Sequence, residues 1–507
     1  MMRFVLTLTL ALLCGAAYGQ AAPALQCTLN AAVPPSIPVE KLDALTGELV
    51  LSCTGGTPTA AGSPVPQTNI QLFLNTNLTS RIDGADNSEV LLLVDEPAPA
   101  AQLFCGAPGP CAMQGTGTGA GTYDGSAGRF NVFQGHRTGP NSVAWTGVPI
   151  DPPGLSAVRT MRVVNVRANA NALGLSGTQI PTQVVAFMSA TGGVSPGINN
   201  PQQTVGFVVA GESFSVRTAD GALTGGLIFP RDAEHNTALA LNGSATGCVD
   251  FRLRYAELFQ TAFLVRNAAG GGAAPPVAQN VPGTVYATET GFYNPAFPLL
   301  GGAPIGLADH GTRLIARFDG VPTGVRLFVS TTPVSTTGAI TAAMTAAAAD
   351  GSGGFSPVTG TASIQATCPD ITAGTLAEVP LASGAGYAVW EVTGAGAAAA
   401  ESLDVAVVAA WLPNDPALGT STVRGGYAPV SAVGVASTTA PNPRFADVLA
   451  ENGLLAIVPA AIATAVPMLA PGALGALALV LFGVAALRIA RRARAAAATN
   501  RNQQSYN

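Results

Sequence analysis

The chain has 507 residues, 10% charged and 48% hydrophobic, with 60 glycines, 38 prolines and a formal net charge of −5. So much apolar and so little charged material excludes intrinsic disorder, and a chain whose single lysine is Lys41 lacks the residues that clothe exposed helices. What remains is a strand- and turn-rich protein with mostly Ser, Thr, Asn and Gln on its surface.

Residues 1–19 have the layout of a signal peptide: Arg3, an apolar stretch over 4–13, and the small-residue site Ala17-Tyr18-Gly19. Cys14 follows Leu13, where lipid attachment needs a small residue, so a lipoprotein is not expected. Residues 20–210 are expected to form an N-terminal β-sandwich domain. Strands are predicted over 69–80, with Ile70, Leu72 and Leu74 on one face, and over 89–95, 160–170, 183–189 and 204–210. Turn clusters at 53–58 and 151–154 punctuate them.

Residues 211–445 read as a second β-sandwich region, of one domain or two. Its predicted strands cover 249–255, 259–266, 387–392, 403–411 and 420–427, and 312–318 and 325–331 read as a hairpin-like pair. A long loop is expected over 267–309 and a helix over 339–350, ending at Gly351. Residues 446–465 are expected to be a stalk.

Residues 466–490 are read as a membrane segment: within them Met468 to Leu487 is an almost uninterrupted run of Ala, Leu, Val and Gly, enough for a helix of about 30 Å, the hydrocarbon thickness of a bilayer. Pro467 stands at the start of this segment, Leu474 and Leu487 lie within it, and Arg488, Arg491, Arg492 and Arg494 follow. By the positive-inside rule residues 491–507 form a basic cytoplasmic tail and everything before the segment is exported. The expected fold class is therefore all-β: two or three immunoglobulin-like β-sandwich domains plus a single C-terminal transmembrane helix.

Residues 20–465 carry 17 basic and all 28 acidic side chains, a balance of −11. Such a body is a poor coat for phosphates, so nucleic acid is not an expected partner. It holds six cysteines, Cys27, Cys53, Cys105, Cys111, Cys248 and Cys368. In an oxidising compartment these are expected to form three disulfides, and proximity in sequence favours pairing them in order. No CxxC occurs and His136, His235 and His310 lie far apart, so zinc is not expected.

Other motifs point nowhere specific. Gly115-Thr-Gly-Thr-Gly-Ala-Gly121 follows a cysteine loop and opens no helix, which makes it a loop rather than a dinucleotide site. Asp350-Gly-Ser-Gly-Gly354 has the wrong order for a serine-protease nucleophile. Asp83, Asp86 and Glu89 gather three carboxylates on a turn and are the candidates for calcium, against the plainer reading of a solvated turn. Trp145, Trp390 and Trp411 are expected in the core. No catalytic residue and no cofactor is implied.

Two stretches of text resemble known classes. Val466-Pro467-Met468-Leu469-Ala470-Pro471-Gly472, with the apolar segment and arginines after it, resembles the C-terminal IPTL and PEP-CTERM sorting segments of bacterial surface proteins. Phe73-Leu-Asn-Thr-Asn-Leu-Thr-Ser-Arg81, Val148-Pro-Ile-Asp-Pro-Pro-Gly154 and Asn199-Asn-Pro-Gln-Gln-Thr204 resemble uncharacterised secreted β-rich proteins of soil bacteria. The resemblance implies export and β structure, and brings no activity with it. The expected function is a non-enzymatic, membrane-anchored surface protein with a structural, adhesive or binding role. Its partners would be the lipid bilayer, through the helix, and an extracellular protein or glycan reached by loops 112–128 and 267–309. The alternative is an anchored extracytoplasmic hydrolase or carbohydrate-active enzyme.

Overall fold

The computed structural model describes residues 24–106, 111–119, 123–124, 129–178, 180–267, 288–297, 304–368 and 374–459. Among them the chain is almost wholly β. The one α-helix among the described residues is Thr237–Asn242, and no helix there is long and apolar enough to cross a membrane. The expected signal peptide and the segment 466–507, with Pro467, Leu474, Leu487, Arg488, Arg491, Arg492 and Arg494, lie outside the described residues.

The first half is built on one 12-stranded sheet rather than two packed sheets, with Ala44–Leu45 and Arg167–Ala168 paired apart from it. Its path runs from Gly197–Asn199 through Gln26–Ala31, Leu49–Gly55, Gly154–Val164, Asn87–Val94 and Val132–Gly139. It continues through Ser142–Pro149, Gln67–Leu74, Thr182–Gly192 and Gln202–Val209 to Ser36–Pro38, with Phe104–Cys105 beside Val132–Gly139 as the twelfth strand. The segment Gly197–Asn199 leaves one end of this path and pairs with the strand at the other end, so the sheet curls until its ends adjoin. Alternation directs one face inward: Gln67–Leu74 buries Thr68, Ile70, Leu72 and Leu74. These side chains join Leu29, Leu51, Trp145, Met161 and Val184 in a single core.

The second half is a two-sheet sandwich. Its eight-stranded sheet runs Glu212–Thr218, Phe251–Glu257, Ser402–Ala410, Arg326–Ser330, Thr375–Glu378, Ala362–Ile364 and Thr246–Gly247, with Ser335–Thr337 beside Ser402–Ala410. Facing it are Leu227–Pro230, Ala450–Val458, Gly419–Tyr427, Arg313–Asp319, Gly386–Gly394 and Thr341–Met344. One core fills the space between, with Leu253, Leu327 and Val405 from one sheet and Leu314, Trp390 and Val423 from the other.

Several expectations need correction. Residues 259–266 form no strand: Thr261 takes φ 72°, and the Glu257 carboxylate accepts from the Phe263 backbone N–H, fixing a turn. The strands Arg313–Asp319 and Arg326–Ser330 are not a hairpin but belong to opposite sheets, because the turn between them crosses the sandwich and buries Val321 and Val325. The segment 339–350 is not a helix. Thr341–Met344 pairs as an edge strand with Gly386–Gly394, and Ala342 and Met344 alternate into the core. Within the expected stalk, Ala450–Val458 is a strand of the six-stranded sheet that buries Leu454, Leu455 and Ile457.

Two strands lie under cover on both faces. Asn87–Val94 sends Val90, Leu92 and Val94 into the curled core, while Leu91 and Leu93 meet Phe292, Phe297 and Ile305 from the expected loop 267–309. Ser402–Ala410 likewise sends Leu403, Val405 and Val407 to the sandwich core, and Ala406 and Val408 towards Leu239 of the short helix. A continuous apolar run is what such a position requires.

The structure joins Cys27 to Cys53 as directly opposed residues of neighbouring antiparallel strands, Cys105 to Cys111, and Cys248 to Cys368. The last spans 120 positions. Replacing Cys248 and Cys368 together by serine is expected to lower the unfolding free energy by about 3–5 kcal/mol on the chain-entropy account. Urea denaturation reads this directly, and an unmoved transition would show that pairing of the sheets alone holds the second half.

Candidate functional site

The two halves meet along a buried set of charges. Lys41 and Asp43 follow the strand Ser36–Pro38, Glu89 lies on Asn87–Val94, and Arg167 on the short strand Arg167–Ala168. The second half brings Glu289, Asp309, Asn442 and Arg444. Lys41 Nζ donates to Glu289 Oε2 at 2.5 Å, and Thr312 Oγ1 donates to Glu289 Oε1 at 3.0 Å. The Arg444 backbone N–H donates to Asp43 Oδ1 at 2.8 Å, and its guanidinium reaches the carbonyls of Thr79, Val433 and Pro441. Arg81 pairs with Glu89 and reaches across to Asp309 and the Leu307 carbonyl. Arg167 lies between Glu89 and Asp43 and donates to the Glu289 carbonyl at 2.6 Å.

Their protonation follows from the balance of burial against partners. Burial pushes the Asp43 carboxyl up, and Arg444, Arg167 and Lys41 only partly oppose it. Burial also acts on Glu89, but there Arg81 and Arg167 outweigh it and hold the carboxyl below its usual range. The difference lies in hydrogen bonding: Glu89 accepts from the Arg81 backbone and side chain and from Asn442, whereas Asp43 Oδ2 has no hydrogen-bond partner. Nearby, burial and then the like charge of Glu40 push Glu212 up to about 8. Burial pushes Glu257 up to about 7.

A cleft of about 90 Å³ opens beside this network. Ile37, Lys41, Glu48 and Asn165 line it from the first half, and Leu264, Thr288 and Phe292 from the second. Lys41 is neutralised by Glu289 and Glu48 by Arg162, so neither stands as a free general acid or base. Asn165 sits at φ 62°, a conformation that asparagine tolerates. Its amide nitrogen donates to the carbonyls of Glu89 and Phe292, and its Oδ1 is buried without a partner.

The calcium candidates do not converge. Asp83 closes its own turn by accepting from the backbone of Ala85 and Asn87 and from the Asn87 side chain. Asp86 pairs with Arg137, and Glu89 faces the junction. Among the described residues no group of three or more His, Cys, Asp or Glu is placed to hold a metal. Trp145, Trp390 and Trp411 are fully buried. The Gly115 loop packs on residues 59–63 through backbone hydrogen bonds, and residues 288–297 and 304–309 of the second expected display loop are part of the junction.

Sequence reasoning missed the junction altogether. It also missed His235, whose Nε2 lies 2.6 Å from Asp250 Oδ1 and whose ring stacks on Trp411. The one available signal was Lys41, a lone lysine in a chain that otherwise uses arginine.

No protein-family model and no curated protein matches the chain. Among solved structures it is similar to the C-terminal domain of the Streptococcus pyogenes antigen I/II-family protein AspA, at 9% identity and a TM-score of 0.27 over 85% of this chain and 99% of that one. It is also similar to a biofilm-associated protein B domain, at 6% identity and a TM-score of 0.19 over 80% and 81% of the two chains. A third is the CupB6 tip adhesin from Pseudomonas aeruginosa, at 7% identity and a TM-score of 0.14 over 86% and 99%. Scores this low carry no inference to function.

Two outcomes test the junction. Arg444→Met leaves Asp43 buried and under-compensated, and is expected to cost about 3–5 kcal/mol in urea denaturation. Arg424→Met, which breaks the exposed pair with Asp319, is expected to stay within about 1 kcal/mol. The second outcome concerns pH. Glu212 titrates at about 8 when folded, and at about 4.3 in an unfolded chain. Between those values the unfolded state has released a proton that the folded state keeps, so stability falls as pH rises through this window. Glu212→Gln removes that contribution. Its melting temperature should decline less steeply than that of the parent between pH 5 and pH 8, and parallel profiles would refute the assignment.

Proposed function

We propose that the chain is a membrane-anchored, exported bacterial surface protein with a structural, adhesive or binding role. The observation that carries this reading is the pairing of all six body cysteines in three disulfides, since such bonds persist only in an oxidising compartment. The two targeting segments agree with it: residues 1–19 direct export, residues 466–490 hold the protein in the membrane, and residues 491–507 remain in the cytoplasm. The mechanism is display. A rigid β body, a curled sheet joined to a sandwich, stands outside the membrane and offers its surface to an extracellular protein or glycan.

An anchored hydrolase or carbohydrate-active enzyme gains no support from the cleft, whose lysine and glutamate are both held in ion pairs. Membrane fractionation tests the proposal. The full chain should sediment with membranes and be cut by protease added to intact cells, and a chain lacking residues 466–507 should appear in the soluble exported fraction. A truncated chain that still sediments with membranes would overturn the anchor.

A further inference from the structure

We propose that Lys41 and Glu289 condense to a side-chain amide that joins the two halves covalently. Such a bond lies inside the molecule, so it forms or fails to form wherever the protein resides. The two groups are in contact: Lys41 Nζ lies 2.5 Å from Glu289 Oε2. A carboxyl carbon stands one bond of about 1.2 Å beyond its oxygen. Nζ is therefore no more than about 3.7 Å from Glu289 Cδ, near the roughly 3–3.5 Å of a near-attack arrangement. The pair is also dry. Lys41 is 3% exposed and Glu289 0%, and the ammonium lies over the Phe445 ring. An ion pair in such a place carries the desolvation cost of both charges, and condensation replaces both with one neutral amide. Exclusion of water suppresses the reverse reaction.

Both residues are held in place. The Glu289 backbone N–H donates to the Val265 carbonyl, and its carbonyl accepts from Arg167. The Lys41 backbone N–H donates to the Pro38 carbonyl. Thr312 Oγ1 accepts from the Leu264 backbone N–H at 2.9 Å, which turns its own proton to Glu289 Oε1 at 3.0 Å. The choice of residue points the same way. Arginine is the usual partner in a buried ion pair, and this junction uses it for Arg81, Arg167 and Arg444. A guanidinium stays protonated and is no nucleophile, whereas a lysine amine can attack a carboxyl carbon. The chain's single lysine stands at this one position. None of the three disulfides crosses the junction, so this amide would be a covalent tie between the halves, across 248 positions of sequence.

The step balances without any co-reactant. One proton passes from the Lys41 ammonium to Glu289 Oε2, leaving a neutral amine and a neutral acid. Nζ attacks Cδ and forms the C–N bond, while negative charge collects on Oε1, where the Thr312 hydroxyl donates to it. A second proton then moves from Nζ to Oε2, the Cδ–Oε2 bond breaks, and one water leaves. Oε1 remains as the amide oxygen.

The test is peptide mapping by tandem mass spectrometry of the purified full chain, reduced and digested with trypsin, which does not cut after an acylated lysine. In the parent the Lys41–Leu42 bond should stay uncut. The peptide ending at Arg81 should appear joined to residues 267–313, lighter by one water than the two together, with fragmentation placing the branch at Lys41 and Glu289. Lys41→Arg keeps a cation opposite Glu289 but cannot condense, and residues 267–313 should then appear alone. Release of residues 42–81 and 267–313 from the parent as separate peptides of full mass, with no joined species, would overturn the proposal. So would a joined species that persists in Lys41→Arg.

Discussion

The buried charges between the two halves are the constraint on which the rest of the molecule depends. Removing an ion from water costs several kcal/mol even after relaxation, so each such group must find its counterpart before the halves can close. Here counterparts come from opposite ends of the sequence: Lys41 with Glu289, Asp43 with Arg444, Arg81 with Asp309. No local folding event can satisfy them. Their contribution to net stability need not be large, because hydrophobic side chains of equal volume would serve as well. What they confer is a single docking geometry, since a shift of one residue leaves a buried charge unmatched.

Apolar cover reinforces the same closure. The strand Asn87–Val94 cannot present Leu91 and Leu93 to water, and Phe292, Phe297 and Ile305 from the other half shield them. The same strand carries Glu89 into the charge network. One strand therefore joins three functions: it fills the curled core, supplies the face on which the second half lies, and places the carboxylate that Arg81, Arg167 and Asn442 share. The junction is an internal surface of one folded unit rather than a flexible link between two beads.

How much of this was legible depends on the range of the interaction. Period-two alternation marks Gln67–Leu74 and Arg313–Asp319, because the pattern is written in neighbouring residues. Cysteine order suggests the disulfides for a similar reason. Ala339–Asp350 misleads, since its alanines suit a helix and only the edge of Gly386–Gly394 makes it a strand. Residues 446–465 read as a spacer because the neighbours that bury Leu454 and Ile457 lie far away in sequence. The candidate site fails in the same way. Asp83, Asp86 and Glu89 look like one cluster along the chain, yet the fold turns Glu89 inward and leaves Asp86 to Arg137. Proximity in sequence does not say which face a carboxylate takes.

The low charge content has a physical counterpart in this arrangement. Lys41, Arg162, Arg167, Arg313 and Arg444 are all buried, and with them much of the carboxylate complement. Charges placed inside are screened little by salt, whereas exposed pairs weaken as ionic strength rises. The pairs of the internal junction are therefore expected to hold at salt concentrations that weaken exposed pairs such as Arg326 with Glu378 and Arg424 with Asp319.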